Sequence, residues 1–268
     1  MSLKDIRDRV KNDLETKDLI LDDNDLMIVD RYLNIRNQIK DGYKPILKTD
    51  PYIEIVYIPT KERLEEEKLS KLKNNLLVFE SDIYLQDADI ENFEIFNDER
   101  EKIKKIALDF VKNYDENVYQ KGLYIYGKYR TGKTYILSAI ANHLAKNDCQ
   151  VLLVFMPDLV RTIKQGISDG TMESKINLLK QTEVLMIDDI GGENITAWFR
   201  DEILLPILQY RLSAKLTTFF SSNLDYNNLT QSLSQGSKTE HDFVKAVRVI
   251  QRIRELTTYI KLDDKQYK

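Results

Sequence analysis

The stretch GLYIYGKYRTGKTYIL, residues 122–137, decides the fold. A short apolar run, GLYIY, is followed by a loop with glycines at positions 127 and 132, and then by a helical pattern that begins near Lys133. Without a Cβ at Gly127 and Gly132, the backbone can turn so that successive N–H groups point into one concavity. The start of the helix adds the positive end of its dipole at the same point. Strand, loop and helix in this order predict a phosphate-binding site.

The loop also matches the complete P-loop pattern GxxxxGK[ST]. A chance match in a chain of this length is on the order of one in a hundred, so an incidental glycine turn followed by a lysine is disfavoured. We expect Lys133 to reach the β- and γ-phosphates and the hydroxyl of Thr134 to be a Mg²⁺ ligand, because hard cations prefer oxygen donors. The predicted nucleotide-binding residues are Gly127, Lys128, Tyr129, Arg130, Thr131, Gly132, Lys133, Thr134 and Tyr135.

A second motif, EVLMIDDIGGE, supplies acidic side chains further along the chain. Four apolar residues predict a buried strand that ends in Asp188 and Asp189, and the carboxyl edge of an open α/β sheet is where such folds bind ligands. We expect Asp188 to hold Mg²⁺ and Asp189 to orient or deprotonate an attacking water. Taken alone, the pair is better explained as a helix N-cap or an acidic turn after a strand. The P-loop upstream favours the catalytic interpretation.

Two further features add polar groups to the predicted site. The strand TTFFSSN ends in Asn223, whose amide can hydrogen-bond a γ-phosphate or the attacking water. In KAVRVIQRIREL, Arg248 and Arg252 are four residues apart and share a helix face, whereas Arg254 points elsewhere. We expect Arg252, with Arg248 beside it, to stabilise phosphoryl transfer in the site of a neighbouring protomer. Ordinary surface salt bridges, for example to Glu255, are the alternative.

The rest of the chain predicts two folded regions. Helical patterns near the start and two β-rich runs, PILK and IEIVYIP, indicate a small α+β domain whose hairpin buries Ile53, Ile55 and Tyr57. A densely charged helical stretch follows. Beyond it, short apolar strands alternate with helices, which predicts an α/β fold with a parallel sheet covered on both faces. The predicted organisation is an N-terminal domain at residues 1–60, a charged linker at 61–77 and an ATPase domain at 78–268.

Composition restricts the functional classes. The net charge of −4 gives no overall positive field, so any nucleic-acid contact is expected to be local. A single cysteine, Cys149, excludes an intrachain disulfide and any multi-cysteine zinc site. No apolar run has the length of a membrane span, and the first residues lack the apolar segment of a signal peptide. We therefore expect a soluble, cytoplasmic protein without membrane partners.

Taken together, these motifs resemble the AAA+ ATPases of the initiator and helicase-loader clade. The stretches GLYIYGKYRTGKTYILSAIANHLA, VLMIDDIGGENITAWFRDEIL and TTFFSSNLDYNNL are similar to the helicase loaders of the bacterial primosome. The similarity covers about residues 78–265 and extends more loosely into the N-terminal region through GYKPIL and IEIVYIP. The tract from Asp188 through Glu202 is far more specific than the ATPase motifs.

The resemblance implies partners and cofactors. It implies an AAA+ domain that uses ATP and Mg²⁺, associates with itself and regulates binding of single-stranded DNA and of the hexameric replicative helicase. It also implies an N-terminal domain that grips the helicase. Family members hold zinc there, but the comparable positions here are Lys44 and Ile58, so no zinc is expected. After the arginine-rich stretch, LTTYIKL predicts a last strand and no C-terminal helical lid, which suggests weak ATPase activity in the isolated subunit.

The candidate DNA-binding residues and the function each have an alternative interpretation. By the resemblance, Arg161, Lys164 and Lys175 lie where the clade lines its DNA path, although each is also typical of solvated surface. A transposition-helper ATPase of the same clade and a non-hydrolysing helicase-binding adaptor are the alternatives. The predicted N-terminal domain and the tract ENITAWFRDEIL favour the loader. A small-molecule P-loop kinase is disfavoured because no basic lid follows the sheet.

Overall fold

The structure is a computed structural model that describes residues 2–78, 85–193, 195–234 and 240–262. The chain divides into two compact units, Met1–Ser70 and Lys71–Lys268. This division falls within the stretch 61–77 that the sequence predicts to be a linker. None of the helices in the described part of the chain is both long and apolar enough to cross a membrane.

The N-terminal unit contains two helices and an antiparallel hairpin. Its elements are α1 (Leu3–Asn12), α2 (Asp23–Ile35), β1 (Tyr43–Lys48) and β2 (Glu54–Pro59), and α3 (Lys61–Asn75) follows. The apolar core lies between α1 and α2, and Leu47 and Ile53 of the hairpin region pack against it. The predicted α+β architecture is confirmed. Burial of Tyr57 was a wrong prediction, because its side chain is 52% exposed.

The C-terminal unit is built on a parallel sheet of six described strands. They are β3 (Leu76–Val78), β4 (Gly122–Tyr126), β5 (Val151–Phe155), β6 (Val184–Asp188), β7 (Thr217–Ser222) and β8 (Thr257–Lys261). Their order in the sheet is β3-β5-β6-β7-β4-β8. The predicted α/β class is confirmed. Strand β3 was not predicted. Residues 76–78 pair with β5, although the sequence analysis assigns most of them to the linker.

Helices cover both faces of this sheet. They are α4 (Asp98–Lys112), α5 (Lys133–Lys146), α6 (Met156–Asp169), α7 (Met172–Gln181), α8 (Leu205–Ser213), α9 (Tyr226–Ser234) and α10 (Glu240–Leu256). A separate apolar core lies on each face, which explains why β5 and the first four residues of β6 are apolar throughout instead of alternating. A π-helical turn, Phe199–Leu204, directly precedes α8, next to Pro206, which has no N–H to continue the regular ladder.

One buried arginine holds together the amino ends of two central strands. Arg211 is fully buried, and its guanidinium donates only to neutral oxygens in the bonds described. The acceptors are the hydroxyl of Thr218 and the carbonyls of Leu179, Lys180, Thr182, Glu183 and Thr217, at 2.6–3.3 Å. Because buried carbonyls that lose their donors are costly, this side chain stabilises the end of α7 and the starts of β6 and β7 together.

Replacing this arginine is expected to destabilise the C-terminal unit. Arg211→Met removes every donor and leaves the carbonyls buried, so we expect the free energy of unfolding to fall by about 3 kcal/mol or more. Arg211→Lys retains one donor group and is expected to lose less. Urea unfolding followed by circular dichroism measures both, with Lys121→Met at an exposed position as the control. A loss below about 0.5 kcal/mol for Arg211→Met contradicts the structural role.

Candidate nucleotide site

The P-loop lies between β4 and α5, at the carboxyl edge of the sheet. Its two glycines are needed for different reasons. Gly132 has φ +95°, a left-handed conformation that favours glycine, directly before the first residue of α5. At Gly127 the reason is a close approach, because an added Cβ would lie 1.9 Å from the carbonyl oxygen of Leu262. The segment after β8 therefore packs against the start of the loop.

The ammonium of Lys133 is held inside the loop. Its Nζ donates to the carbonyls of Gly127 and Lys128 at 3.0 and 2.7 Å, and to Oδ1 of Asn223 at 2.7 Å. These three acceptors match the three donors of an ammonium group. Only 7% of the residue is exposed, and burial lowers the pKa of Lys133 from its ordinary value. A cation is thus fixed at the point where the loop and the helix terminus favour an anion.

Asp188 ends β6 and is joined to the first turn of α5. The hydroxyl of Thr134 donates to its Oδ2 at 2.8 Å, and the hydroxyl of Ser221 donates to its Oδ1. Asp188 is 3% exposed, and burial raises its pKa although both hydroxyls and Lys133 act in the opposite direction. Thr134 and Asp188, the two predicted metal ligands, therefore lie in contact and offer the oxygen donors that Mg²⁺ prefers.

Asp189 and Asn223 form the next part of the same cluster. Asn223 donates from Nδ2 to Oδ1 of Asp189 at 2.6 Å while its Oδ1 accepts from Lys133. Because a carboxylate only accepts and an ammonium only donates, these neighbours fix the orientation of the amide. Burial, followed by the nearby Asp188, raises the pKa of Asp189. The structure thus connects Lys133, Asn223 and Asp189 in one hydrogen-bonded chain.

The two predicted arginines lie on α10 and make other contacts. Arg252 donates to Oε1 of Gln209 at 2.6 Å and to Oε2 of Glu255 at 2.7 Å. Arg248 is exposed on the same helix, whereas the guanidinium of Arg254 lies 4.7 Å from the ring centroid of Tyr226. No described contact joins Arg248 or Arg252 to the P-loop cluster of their own chain. Their role in a neighbouring protomer stays a prediction.

A cavity of about 580 Å³ opens beside the P-loop. Its volume is typical of a site for a small organic ligand. The lining residues are Leu85, Asn92, Phe93, Glu94, Arg100 and the P-loop segment 130–135. The P-loop thus contributes one wall, and the chain before α4 contributes the other.

Sequence reasoning missed two side chains at this site. Ser221 is one of them: its hydroxyl donates to the carboxylate of Asp188 and accepts from the backbone N–H of Asp189 at 3.0 Å, so it fixes the Asp188 side chain and the backbone of the next residue. Its position two residues before Asn223 on a strand, hence on the same face, was the available signal. Arg100 is the other. It was overlooked because a charged run such as DEREK is typical of a solvated surface. Its spacing from Ile103 and Ala107, both buried, places it on the buried face of α4.

Among the described residues, no three His, Cys, Asp or Glu side chains form a group that would hold a metal ion. At the P-loop the protein contributes a hydroxyl and a carboxylate, which is the incomplete set expected where phosphates and water complete the coordination of Mg²⁺. In the N-terminal hairpin, Lys44 and Ile58 lie opposite each other in the register of β1 and β2.

A P-loop, paired carboxylates and an asparagine at one edge of a parallel sheet define an ATP-binding protein of the AAA+ class. A family model described as IstB-like ATP binding protein matches residues 63–244. The replicative helicase loader DnaI of Bacillus subtilis (strain 168) is 37% identical over 230 residues, which are 85% of this chain and 73% of that protein. The chain belongs to the IstB-like ATP binding family and to its DnaI-like members.

Other relatives and solved structures agree. The replicative helicase loader DnaC of Buchnera aphidicola (subsp. Baizongia pistaciae) is 34% identical over 142 residues, covering 52% of this chain and 56% of that protein. A crystal structure of DnaI matches with a TM-score of 0.65 and 38% identity, covering 70% of this chain and 97% of that one. AMPPCP-bound DnaA from Aquifex aeolicus, at 19% identity and a TM-score of 0.54, covers 67% of this chain and 51% of its own, and shows the shared fold.

Removing the P-loop ammonium tests the nucleotide site. We expect Lys133→Ala to weaken ATP binding by about a hundredfold or more, because the substitution removes the buried cation that we predict to contact the phosphates. Equilibrium titration with a fluorescent ATP analogue in the presence of Mg²⁺ measures the dissociation constant. Lys121→Ala, an exposed lysine at the other end of β4, is the matched control and should bind like the wild type. Equal affinities for Lys133→Ala and the control would place the nucleotide elsewhere.

Proposed function

We propose that this protein is an ATP-dependent loader of the replicative DNA helicase in primosome assembly. The observation that carries the proposal is the extent of the likeness to DnaI of Bacillus subtilis. Its 230 aligned residues exceed the segment 63–244 that the ATP-binding family model matches, so the similarity is not confined to the shared ATPase region. A helicase loader also acts on the chromosome, which agrees with a cytoplasmic location.

The geometry of the site supports ATP binding with Mg²⁺ and hydrolysis. In this proposal the P-loop N–H groups and Lys133 hold the β- and γ-phosphates, and the cavity beside the loop takes the nucleoside. Thr134 and Asp188 would hold Mg²⁺, which neutralises charge on the phosphates. Asp189, whose pKa is raised by burial and by Asp188, accepts a proton from the attacking water or orients it. Asn223 holds that carboxylate in place.

We further propose that hydrolysis requires self-association through the AAA+ domain. Arg252 lies on α10, which contacts α8 and α9, and it is held by Gln209 and Glu255 rather than by its own P-loop. An arginine that approaches the γ-phosphate from a second protomer stabilises the charge of the transition state, with Arg248 beside it on the same face. Weak activity of the isolated subunit follows from this arrangement.

The N-terminal unit is the proposed helicase-binding part, corresponding to residues 1–60 followed by the charged stretch 61–77. Single-stranded DNA is the second proposed macromolecular ligand of the ATPase domain, 78–268. Its candidate contacts are Arg161 and Lys164 on α6 and Lys175 on α7. Arg161 pairs with Asp158, and Nζ of Lys175 donates to the carbonyl of Thr162, so phosphate binding has to compete with these contacts.

A transposition-helper ATPase is the second candidate, favoured by the IstB-like family match. It predicts a transposase rather than a helicase as the partner. A non-hydrolysing adaptor is the third candidate. It predicts that helicase binding occurs without any ATP turnover, which conflicts with the arrangement of Asp189 and Asn223 beside Lys133.

A mixing experiment tests whether Arg252 acts in trans. Asp189→Asn and Arg252→Ala should each lose single-turnover ATP hydrolysis when assayed alone with helicase and single-stranded DNA. In an equimolar mixture, an intact site of one variant meets an intact arginine of the other at about one interface in four, so about a quarter of the wild-type rate should return. Arg254→Ala, on the same helix but packed against Tyr226, is the control. A mixture as inactive as its components contradicts action in trans.

Co-purification tests the loader assignment itself. We expect the full chain to form a complex with the replicative helicase of the same organism, and a chain that starts at Lys71 to lose it. Size-exclusion chromatography with light scattering measures the complex. The Lys133→Ala variant should retain helicase contact through the N-terminal unit, because its substitution lies in the other unit. Absence of a helicase complex with the full chain, together with binding of a transposase, would favour the second candidate.

A further inference from the structure

Arg100 is a buried arginine of α4 that belongs to none of the nucleotide-binding motifs. Arg100 is 1% exposed, although the residues around it in sequence are charged and mostly exposed. Its Nη1 donates to the carbonyl oxygen of Thr131 at 2.7 Å, and its Nε donates to the carbonyl oxygen of Glu94 at 2.5 Å. One guanidinium therefore joins the P-loop to the chain that precedes α4.

Aromatic rings complete this environment. The guanidinium carbon lies 3.9 Å from the ring centroid of Phe93 and 4.5 Å from that of Phe96, within the range of cation–π interactions. The start of α4 fixes the same residue, because the backbone N–H of Arg100 donates to Oδ1 of the N-cap Asn97 at 2.9 Å. Backbone and side chain of Arg100 are thus both restrained.

The residues that Arg100 contacts lie on the two walls of the cavity. Thr131 directly precedes Gly132, the residue with φ +95°, and Phe93 and Glu94 line the opposite wall. A Cβ placed on Gly132 would lie 3.2 Å from a ring carbon of Phe93 and 3.4 Å from Nη1 of Arg100. The arginine and the ring therefore pack directly against the turn of the P-loop.

We propose that Arg100 is a positioning residue for nucleotide binding, which sets the separation and orientation of the P-loop and the facing wall of the cavity. The inference rests on the proposed nucleotide site. A guanidinium carries its donors in a rigid planar fork, so bonds to Thr131 and Glu94 fix the relation between the two carbonyls. Arg100 is almost completely covered, so it acts through Thr131 and Phe93. Its charge also adds positive potential near the phosphates.

Two substitutions separate geometry from charge. Arg100→Lys keeps the charge but loses the fork, because a single ammonium cannot reproduce the planar arrangement of donors. Arg100→Met keeps similar bulk and loses both charge and donors. If fork geometry matters, both variants weaken ligand binding, whereas a purely electrostatic role predicts that Arg100→Lys binds like the wild type.

The test measures binding of Mg-ATP and of Mg-tripolyphosphate to the full chain at a temperature where circular dichroism shows each variant folded. We expect the dissociation constant for ATP to rise about tenfold in Arg100→Met and at least about threefold in Arg100→Lys. Binding of tripolyphosphate should be weakened less than binding of ATP, because tripolyphosphate lacks the nucleoside that the cavity wall is proposed to contact. If Arg100→Met does not fold, Arg100→Lys alone decides the outcome.

Arg211→Lys is the matched control. It alters another buried arginine bonded to carbonyls, but its contacts lie at the amino ends of β6 and β7, the edge of the sheet opposite the P-loop. It should lower thermal stability and leave the ATP dissociation constant within about twofold of wild type. This comparison separates loss of stability from loss of positioning.

Folded Arg100 variants that bind ATP within twofold of wild type would overturn the proposal. Equal losses for ATP and tripolyphosphate would overturn the part that concerns the cavity wall. The proposed function fails in a different way: the wild-type chain would then bind neither ligand. If the wild type binds ATP, Lys133→Ala abolishes binding and Arg100→Met does not weaken it, the role of Arg100 is refuted while the proposed nucleotide site stands.

Discussion

The two hydrogen bonds of the Asn223 amide hold the candidate site together. They connect the ammonium of Lys133 to the carboxylate of Asp189, and they exist because β7 lies between β4 and β6. The parallel register pairs Tyr126 with Ser222, which places the residue after β7 beside the start of the P-loop. Motifs far apart in sequence thus meet through strand order. Ser221, on the same strand, adds a bond to Asp188.

The parts predicted from sequence are those that a local pattern encodes. The P-loop follows from glycine and lysine spacing, the acidic pair from its position after an apolar strand, and the α/β class from alternation of strands and helices. Strand β3 was missed because three residues after a charged helix carry no periodicity. Tyr57 was assigned to the buried face because it alternates with Ile53 and Ile55. Alternation alone does not show how far the neighbouring apolar core extends along the strand. Arg100 was missed because its charged neighbours are typical of a solvated surface, although its spacing from Ile103 and Ala107 places it on the apolar face of α4.

Buried arginines serve different purposes in this fold. Arg211 joins the amino ends of β6 and β7, at the edge of the sheet opposite the P-loop, and its loss is expected to lower stability. Arg100 joins the P-loop to the chain before α4, so its loss is proposed to alter binding. A third, Arg200, is fully buried in the π-helical turn and pairs with Asp201 and with Asp242 of α10. Arg200 therefore connects the π-helical turn to α10, the helix that carries Arg252. No described contact joins α10 to the P-loop cluster.

We propose that ATP binding at this site serves to place the replicative helicase on DNA. The most direct measurement is the amount of replicative helicase that becomes stably bound to closed circular single-stranded DNA, where entry over a free end is impossible. We expect helicase to accumulate on the circle when this protein and Mg-ATP are both present, and to remain at background when either is omitted. Accumulation at background level in the complete mixture would contradict it.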